Sequence, residues 1–350
     1  MSRLDRCDED LLNIIQEEFP VVHAPFAAVA ERLGSTEDDV LSRVGSLREA
    51  RVVRQISAIF DTRSLGYQST LVAMRFAPDH LEAGAAIINE HPGVSHNYRR
   101  NHEFNLWFTL ATPPGGDIDA TLARLHELSG SLVTRKLQTL KLFKIGVKLD
   151  MTGEKDVTRL ESPDYTGIQR DFALRSPISD LDIRVIRAVQ DDLPLVPHPF
   201  AACAASQGLS EAELFAGMAD LQKRGHLRRV AAILHHRRAG FAANAMAVWS
   251  VPEEDAETLG RRMAEFAAVS HCYQRPVYED WRFNLFSMIH GRKLADCERV
   301  VDAIRDAIGI DDYAVLYSTK EYKKTRVRYF TSELEEWDRA NLGREAEPVA

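Results

Sequence analysis

The stretch Val94-Ser95-His96-Asn97-Tyr98-Arg99-Arg100 returns later in the chain as Val269-Ser270-His271-Cys272-Tyr273-Gln274-Arg275. Phe104-Asn105-Leu106 follows the first copy, and Phe283-Asn284-Leu285 follows the second after four additional residues. Each copy is short, begins with an apolar residue and carries aromatic side chains, which is typical of a pair of β-strands. The chain therefore contains the same strand pair twice.

The repeat extends well beyond this motif. Pro25-Phe26-Ala27-Ala28 matches Pro199-Phe200-Ala201-Ala202 at a shift of 174 residues, and the shift becomes 175 at the strand motif. An ungapped match over about sixty positions indicates a tandem duplication, so we interpret the chain as a fused pseudo-dimer. The polar residues 151–178 predict a linker, and the acidic residues 331–350 predict a partly ordered tail.

Each repeat predicts the same two domains. In the first repeat, three helical segments precede the alternating run Val52–Phe60, and this order predicts a winged helix-turn-helix. Beyond Gly66 the predicted order is β-α-β-β-α-β, the ferredoxin-like arrangement. It includes a helix at Leu81–Glu90, a strand at Val94–Arg100 and a final strand at Leu137–Val147. The predicted fold class is α+β. The predicted domains are winged helix-turn-helix at 1–62 and 179–236, ferredoxin-like at 63–150 and 237–330, linker at 151–178 and tail at 331–350.

Composition excludes several classes of protein. The 350 residues are 45% hydrophobic and 27% charged, as in ordinary globular proteins, and the net charge of −8 argues against a generally basic nucleic-acid-coating protein. The four cysteines form no C-x-x-C pair, and the charged N-terminus has no apolar core like that of a signal peptide. No apolar run reaches the ~20 residues needed to span a bilayer. We therefore expect a cytoplasmic protein without a membrane partner.

The predicted architecture resembles that of the Lrp/AsnC transcription regulators over both repeats. The resemblance implies DNA binding by the winged helices, and dimerisation and effector binding by the ferredoxin-like domains. A recognition helix meets DNA with its N-terminal end. Here those ends carry Glu37-Asp38-Asp39 and Glu211-Ala212-Glu213, which repel phosphates. DNA binding is therefore disfavoured, although Arg43, Arg48, Arg51 and Arg54 keep an effector-responsive DNA-binding regulator as the alternative function.

A narrower resemblance rests on Ser95–Thr109 and on Ser270–Pro276 leading to Trp281–Leu285. Both stretches are similar to the paired subunits of sirohaem decarboxylase, an offshoot of the Lrp/AsnC fold, and the similarity extends to Leu316–Lys324. The resemblance implies a carboxy-lyase that removes the C12 and C18 acetate carboxyl groups of sirohaem. The product would be 12,18-didecarboxysirohaem, an intermediate of haem d1 biosynthesis in denitrifiers or of the alternative haem route. A fused two-subunit form agrees with the duplication.

Sirohaem is a flat iron tetrapyrrole with eight carboxylates, so its site needs apolar walls and fixed cations. Arginine pairs with carboxylates in a planar, bidentate way. Decarboxylation leaves carbanion character, which a side chain titrating near neutrality can protonate. We predict His96 and His102 as the catalytic proton donors. The predicted substrate-binding residues are Tyr98, Arg99, Arg100, Trp107, Lys144, His271 and Arg275.

Several alternatives stay open at this point. His96 can also be interpreted as a hydrogen-bonded core histidine, and Lys144 as a solvated charge at a sheet edge. Arg99 and Arg100 alternate along a strand, so only one of them is expected to face the site. Because His102 has no counterpart in the second repeat, we expect one productive site rather than two. The macrocycle can delocalise electrons, so we expect no cofactor and no metal beyond the substrate's own iron. Further homo-oligomerisation is left open.

Overall fold

The structure, a computed structural model, describes residues 4–145, 158–161, 176–234 and 243–343. The predicted boundaries at 150/151 and 236/237, most of the linker and the end of the tail lie outside the described residues. The chain divides into two compact units. One contains the two helix-turn-helix segments, within 1–65 and 165–243, and the other contains the two ferredoxin-like segments, within 66–146, 157–164 and 244–350. Each unit thus combines the same domain from both repeats.

The helix-turn-helix unit is built from two matching sets of elements. Its helices begin at strong local signals: the capping boxes of Asp5 with Asp8 and of Ser179 with Asp182, and a proline in the first turn of each second helix. The first set is α1 (Arg6–Glu17), α2 (Pro25–Leu33), α3 (Glu37–Glu49) and β1 (Val53–Phe60). The second set is α6 (Asp180–Val189), α7 (Pro199–Ser206), α8 (Glu211–Lys223) and β7 (Leu227–Leu234).

The strand predicted as a wing pairs across the two repeats. Strand β1 pairs antiparallel with β7 of the other repeat, from Val53 opposite Leu234 to Phe60 opposite Leu227. The two strands form a two-stranded sheet of their own. The prediction identified a strand at Val52–Phe60 without naming its partner, and the duplication supplies that partner as a second copy of the same strand. The sheet therefore joins the repeats within this unit.

The ferredoxin-like unit is one nine-stranded sheet with helices, in the order β5-β2-β4-β3-β11-β8-β10-β9-β6. From the first repeat come β2 (Gln68–Arg75), α4 (Leu81–Glu90), β3 (Val94–Arg100), β4 (Leu106–Thr112), α5 (Ile118–Ser129), β5 (Val133–Leu137) and β6 (Lys141–Ile145). From the second come β8 (Ala243–Trp249), α9 (Ala256–Ala264), β9 (Val269–Gln274), β10 (Leu285–Gly291), α10 (Leu294–Ile308) and β11 (Tyr313–Lys324). No helix within the described ranges is long and apolar enough to cross a membrane.

The last strand of each repeat crosses to the other repeat. Strand β11 pairs with β8 through Tyr313–Tyr317 and with β3 through Ser318–Lys324. In the first repeat, the strand predicted at Leu137–Val147 corresponds to β6 within the described residues, and β6 pairs with β9. The preceding strand β5, which pairs with β2, ends at Leu137 and was not predicted. Periodicity reveals the extended chain but not the change of partner. The exchanged strands place side chains of both repeats around each copy of the motif.

Two apolar clusters hold this unit together. One lies between the first repeat's strands and helices α4 and α5, and includes Val72, Ile88, Phe108 and Leu122. The other lies on the opposite sheet face and combines residues of both repeats, among them Phe104, Trp107, Trp281, Phe283 and Phe286. The predicted tail contains a helix, α11 (Ser332–Leu342), whose buried Leu334 and packed Trp337 attach it to the first cluster. The described part of the tail is therefore a packed helix.

Candidate active site

His96, Tyr98 and Arg100 form a row on one face of β3. Asn97 donates from its side-chain amide to Asn89 Oδ1 at 2.9 Å and to Ala85 O at 3.3 Å, so the alternate residues of β3 face helix α4. The row therefore lies on the face turned away from that helix. His96 Nδ1 lies 3.0 Å from Ser95 Oγ, and the rings of His96 and Tyr98 have centroids 6.2 Å apart.

Arg100 is a buried cation at the end of this row. Its side chain lies 5.9 Å from the Tyr98 ring centroid, and its Nη1 donates to Leu316 O at 2.9 Å. The residue is 5% exposed, and burial lowers the pKa of its guanidinium to about 10. Nε is buried without a hydrogen-bond acceptor, and no carboxylate pairs with Arg100 within the ranges that the structure describes. A buried charge of this kind is costly until an anion pairs with it.

The second repeat builds the same row from His271, Tyr273 and Arg275. His271 Nδ1 lies 2.8 Å from Ser270 Oγ, and the two rings have centroids 6.1 Å apart. The Arg275 guanidinium lies 4.6 Å from the Tyr273 ring centroid and donates through Nη1 to Leu137 O. Leu316 belongs to the second repeat and Leu137 to the first, so each arginine donates to the other repeat.

Arg99 and Lys144 do not join these rows. Arg99 points to the helix side of β3, where its Nη1 lies 4.0 Å from Glu82 Oε1. Lys144 Nζ donates to Phe266 O at 2.8 Å, just beyond the end of helix α9. We had predicted both as substrate-binding residues. Arg99 alternates in direction with Arg100, and Lys144 pairs with Cys272, which faces helix α9. Both side chains therefore lie on the other side of the sheet from the motif rows. The prediction that only one of Arg99 and Arg100 faces the site is consistent with this arrangement.

Trp107 was predicted as a wall of the substrate site. The structure places it opposite Tyr98 on the neighbouring strand, but it is 1% exposed and belongs to the apolar cluster shared by both repeats. Its Nε1 donates to Phe104 O at 2.6 Å. This fully buried indole, with its N–H satisfied, packs beside Tyr98 on the face of the row and does not line an open surface.

His102 lies in the β3–β4 turn, beyond the Arg100 end of the strand. Its Nδ1 accepts from the Phe104 backbone N–H at 3.1 Å, so the neutral ring carries its proton on Nε2. Burial lowers the pKa of His102, with a smaller contribution from the charge of Arg282. His96 and Arg100 are four positions apart on β3, which is roughly 13 Å at ~3.3 Å per residue. The structure therefore places the two predicted donors at opposite ends of β3.

Two further residues outside the motif lie near the first row, and of these His290 was not predicted from the sequence. Lys324 pairs with His96 in the β11–β3 register. His290 follows Phe286 and Met288 on the face of β10 that turns toward the shared cluster, and burial together with the charge of Lys324 lowers the pKa of His290 to about 4. Ala111 occupies the equivalent position in the first repeat, so a departure from the repeat was the signal available in the sequence.

Comparisons with known families match both domains in both repeats. The model described as "Siroheme decarboxylase NirDL-like HTH domain" matches residues 8–54 and 182–228. The model described as "AsnC-like ligand binding domain" matches residues 64–144 and 238–323. The first repeat's row, the second repeat's row and His102 all lie between the limits of the second model's two matches.

Two relatives match nearly the whole chain, and a third, a separate subunit, matches less than half of it. A protein named "Siroheme decarboxylase" from Hydrogenobacter thermophilus is 40% identical over 333 residues, covering 94% of this chain and 96% of the relative. A "Siroheme decarboxylase NirDL subunit" from Paracoccus pantotrophus is 31% identical over 326 residues, covering 92% and 96%. A "Siroheme decarboxylase beta subunit" from Methanosarcina barkeri is 48% identical over 147 residues, which is 42% of this chain and 97% of that subunit.

A solved structure supports the same assignment. The crystal structure of the siroheme decarboxylase NirDL has a TM-score of 0.73 and 35% identity, and the match covers 97% of this chain and 99% of that one. The fold and the two rows of side chains define the class of protein. It is a duplicated protein of Lrp/AsnC architecture, with a buried arginine in each copy of the strand motif. The chain belongs to the sirohaem decarboxylase family, a family of carboxy-lyases.

Proposed function

We propose that this chain removes the C12 and C18 acetate carboxyl groups of sirohaem and releases 12,18-didecarboxysirohaem for haem d1 or alternative haem biosynthesis. The observation that carries the proposal is Arg100, a buried guanidinium beside Tyr98 with no carboxylate partner among the described residues. A polycarboxylate substrate supplies the missing anion. A solved relative, at 34% identity over 97% of this chain, is a siroheme decarboxylase in complex with an iron-uroporphyrin III analogue, which supports a tetrapyrrole ligand.

The chemistry requires breakage of one carbon–carbon bond at each acetate. The bonding electron pair stays on the methylene carbon and is delocalised into the macrocycle, while the carboxyl carbon leaves as carbon dioxide. A proton then forms the new C–H bond, so each acetate becomes a methyl group. We propose that Arg100 holds a carboxylate that is retained, because pairing with a cation stabilises a carboxylate against loss. The scissile carboxylates lie away from it. The macrocycle supplies the electron sink, so we propose no added cofactor.

We propose that His96 and His102 each serve one acetate. Their positions at opposite ends of β3 prevent both from reaching one carbon of a substrate in a single pose. His96 lies in the row and faces Lys324, whose ammonium can hold a neighbouring carboxylate. His102 offers Nε2–H, because Nδ1 accepts from Phe104 N. Each of the two acetate carboxyl groups to be removed thus has its own imidazole as proton donor.

The count of bound substrates tests whether one or both rows are productive. The second row lacks a counterpart of His102, so we propose that it completes the substrate site and does not form an independent catalytic site. We expect one iron-uroporphyrin III per chain in an anaerobic titration followed by absorbance. Two equivalent bound tetrapyrroles per chain would contradict the single-site proposal.

DNA binding is not expected, because arginines of the helix-turn-helix unit are neutralised internally. Arg43 contacts Asp5, Asp8 and Asp39 at 2.8–3.0 Å. Arg48 Nη2 lies 2.7 Å from Asp192 Oδ1. Mobility-shift titration with fragments of the source genome should give no salt-sensitive complex with a defined site. A sequence-specific complex that weakens steeply with salt would favour the regulator instead.

We also propose a cytoplasmic location, in agreement with four cysteines that are all free, three of them buried. Within the described residues the two repeats already form a pseudo-dimer around one continuous sheet. Sedimentation or light scattering measures whether these chains assemble further. Neither property changes the chemistry proposed for the two histidines.

A further inference from the structure

Between β9 and β10, the step from Arg275 to Phe283 is four residues longer than the matching step from Arg100 to Phe104 in the first repeat. We call Val277–Asp280 the inserted loop. Trp281 directly follows this loop, is 2% exposed and contacts the predicted proton donor of the other repeat. The Trp281 and His102 rings have centroids 5.4 Å apart and an interplanar angle of 75°. The second repeat thus covers a histidine for which it has no equivalent of its own.

Three contacts fix the inserted loop to strand β5. Arg135 makes a bidentate pair with Asp280, with Nε–Oδ1 at 2.8 Å and Nη2–Oδ2 at 2.9 Å. Its guanidinium also lies 5.1 Å from the Tyr278 ring centroid. Tyr278 donates from Oη to Lys136 O at 2.7 Å. Bidentate geometry makes such a pair more directional than an ordinary surface ion pair.

The loop transmits this attachment to Trp281 through its backbone. Tyr278 N–H donates to Trp281 O at 2.7 Å, and Trp281 N–H donates to Tyr278 O at 2.9 Å. Trp281 Nε1 donates to Phe283 O at 3.0 Å, which fixes the indole's rotation. Its ring also packs edge-on against Phe104 and Trp107, at 5.8 and 5.2 Å between centroids. The backbone of Trp281, its indole N–H and its ring are therefore each held by a contact within the unit.

We propose that the inserted loop is a positioning device that holds Trp281 against His102, so that His102 keeps one ring orientation and offers Nε2–H to the substrate. Arg135, Tyr278 and Trp281 are then positioning residues. Phe104 fixes the other side of His102, by stacking at 6.1 Å between ring centroids and by its N–H donating to Nδ1. This inference rests on the proposed function of His102, but its structural part is testable without substrate.

The pKa of His102 depends on nearby charges as well as on its burial. Glu103 raises the pKa of His102, whereas burial and Arg282 lower it. Arg282 pairs with Asp312 through Nη2–Oδ1 at 2.8 Å and Nε–Oδ2 at 2.9 Å. The Arg282–Asp312 pair has the same chemistry as the Arg135–Asp280 pair but does not attach the inserted loop. It therefore provides a matched control.

The experiment compares Asp280→Asn with Asp312→Asn in the full chain. His102 is titrated by NMR of ring-labelled histidine, with His102→Gln to assign the signal. We expect Asp280→Asn to raise the pKa of His102 toward the ordinary value of about 6.5. We expect kcat to fall about 3- to 30-fold, short of the roughly 100-fold cost of a 1 Å misplacement, with little change in KM. Asp280→Glu should restore part of kcat, and Asp312→Asn should leave kcat near wild type.

An unchanged His102 titration in Asp280→Asn overturns the positioning proposal. A Trp281→Phe variant provides a second test, because it keeps an aromatic ring but loses the Nε1 hydrogen bond to Phe283 O. It should show the same shift in titration, and an unchanged titration would again overturn the proposal. If the titration moves while sirohaem turnover stays at the wild-type rate, the loop does position His102 and the proposed catalytic role of His102 is the part that fails.

Discussion

Arg100→Met should abolish most of the activity without destabilising the fold. Truncating one partner of a buried, hydrogen-bonded charge pair costs about 2–5 kcal/mol, so kcat/KM for sirohaem should fall roughly 30- to 4,000-fold. The fold loses one hydrogen bond to Leu316 O but no longer buries a guanidinium that lacks a carboxylate partner among the described residues. Replacement of buried ions by apolar residues is often neutral or stabilising. The thermal midpoint should therefore stay level or rise.

Arg99→Met is the matched control for this substitution. Arg99 neighbours Arg100 on β3, but its half-exposed side chain lies on the helix side, 4.0 Å from Glu82. We expect less than a threefold change in kcat/KM, because exposed pairs of this kind contribute about 0–1 kcal/mol. Steady-state kinetics and differential scanning calorimetry measure both variants. Wild-type kinetics for Arg100→Met, or a midpoint that collapses together with activity, would contradict the role of Arg100 as a substrate cation.

His96→Ala and His102→Ala should each stop the reaction after one decarboxylation. Loss of a general acid typically costs 10²–10⁴-fold in rate. Because the two imidazoles lie at opposite ends of β3, the loss of one leaves the other acetate's donor in place. Mass spectrometry of timed samples should show a product that has lost the mass of one carbon dioxide, with a different isomer from each variant. Substrate affinity should change less than turnover.

His80→Ala controls for general effects of removing an imidazole. His80 is highly exposed beside Asp79 at the start of helix α4. It should convert sirohaem fully at the wild-type rate. If His96→Ala and His102→Ala also run to completion at that rate, neither histidine is a proton donor. If both accumulate the same mono-decarboxylated isomer, the assignment of one histidine to each acetate is wrong.

The sequence predicted local elements better than their partners. The predicted helix at Leu81–Glu90 and strand at Val94–Arg100 match α4 and β3 residue for residue, because each is defined by its own apolar pattern and flanking turns. The strand at Val53–Phe60 was also identified, but its pairing with the other repeat was not. Periodicity reports on burial within a segment, and a duplicated chain offers two chemically equal partners. Pairing across repeats therefore had to come from the structure.

Site residues show the same limit. The motif brought out His96, Tyr98 and Arg100, and strand alternation alone places them on one face. It also admitted Lys144, whose direction depends on a register shift between β6 and β9 that no local pattern reveals. His290 lies outside the motif, and only the tertiary structure brings it close enough to Lys324 for that charge to lower its pKa. Chemistry built by tertiary contacts is not encoded in the spacing of one segment.

The most direct test of the account is anaerobic incubation of the purified chain with sirohaem, followed by mass spectrometry of the extracted tetrapyrrole. The account predicts conversion to a species that has lost two molecules of carbon dioxide, from the C12 and C18 acetates, through an intermediate that has lost one. An unchanged sirohaem mass, with protein that is folded and binds the tetrapyrrole, would contradict the proposal that this member of the family is a sirohaem decarboxylase.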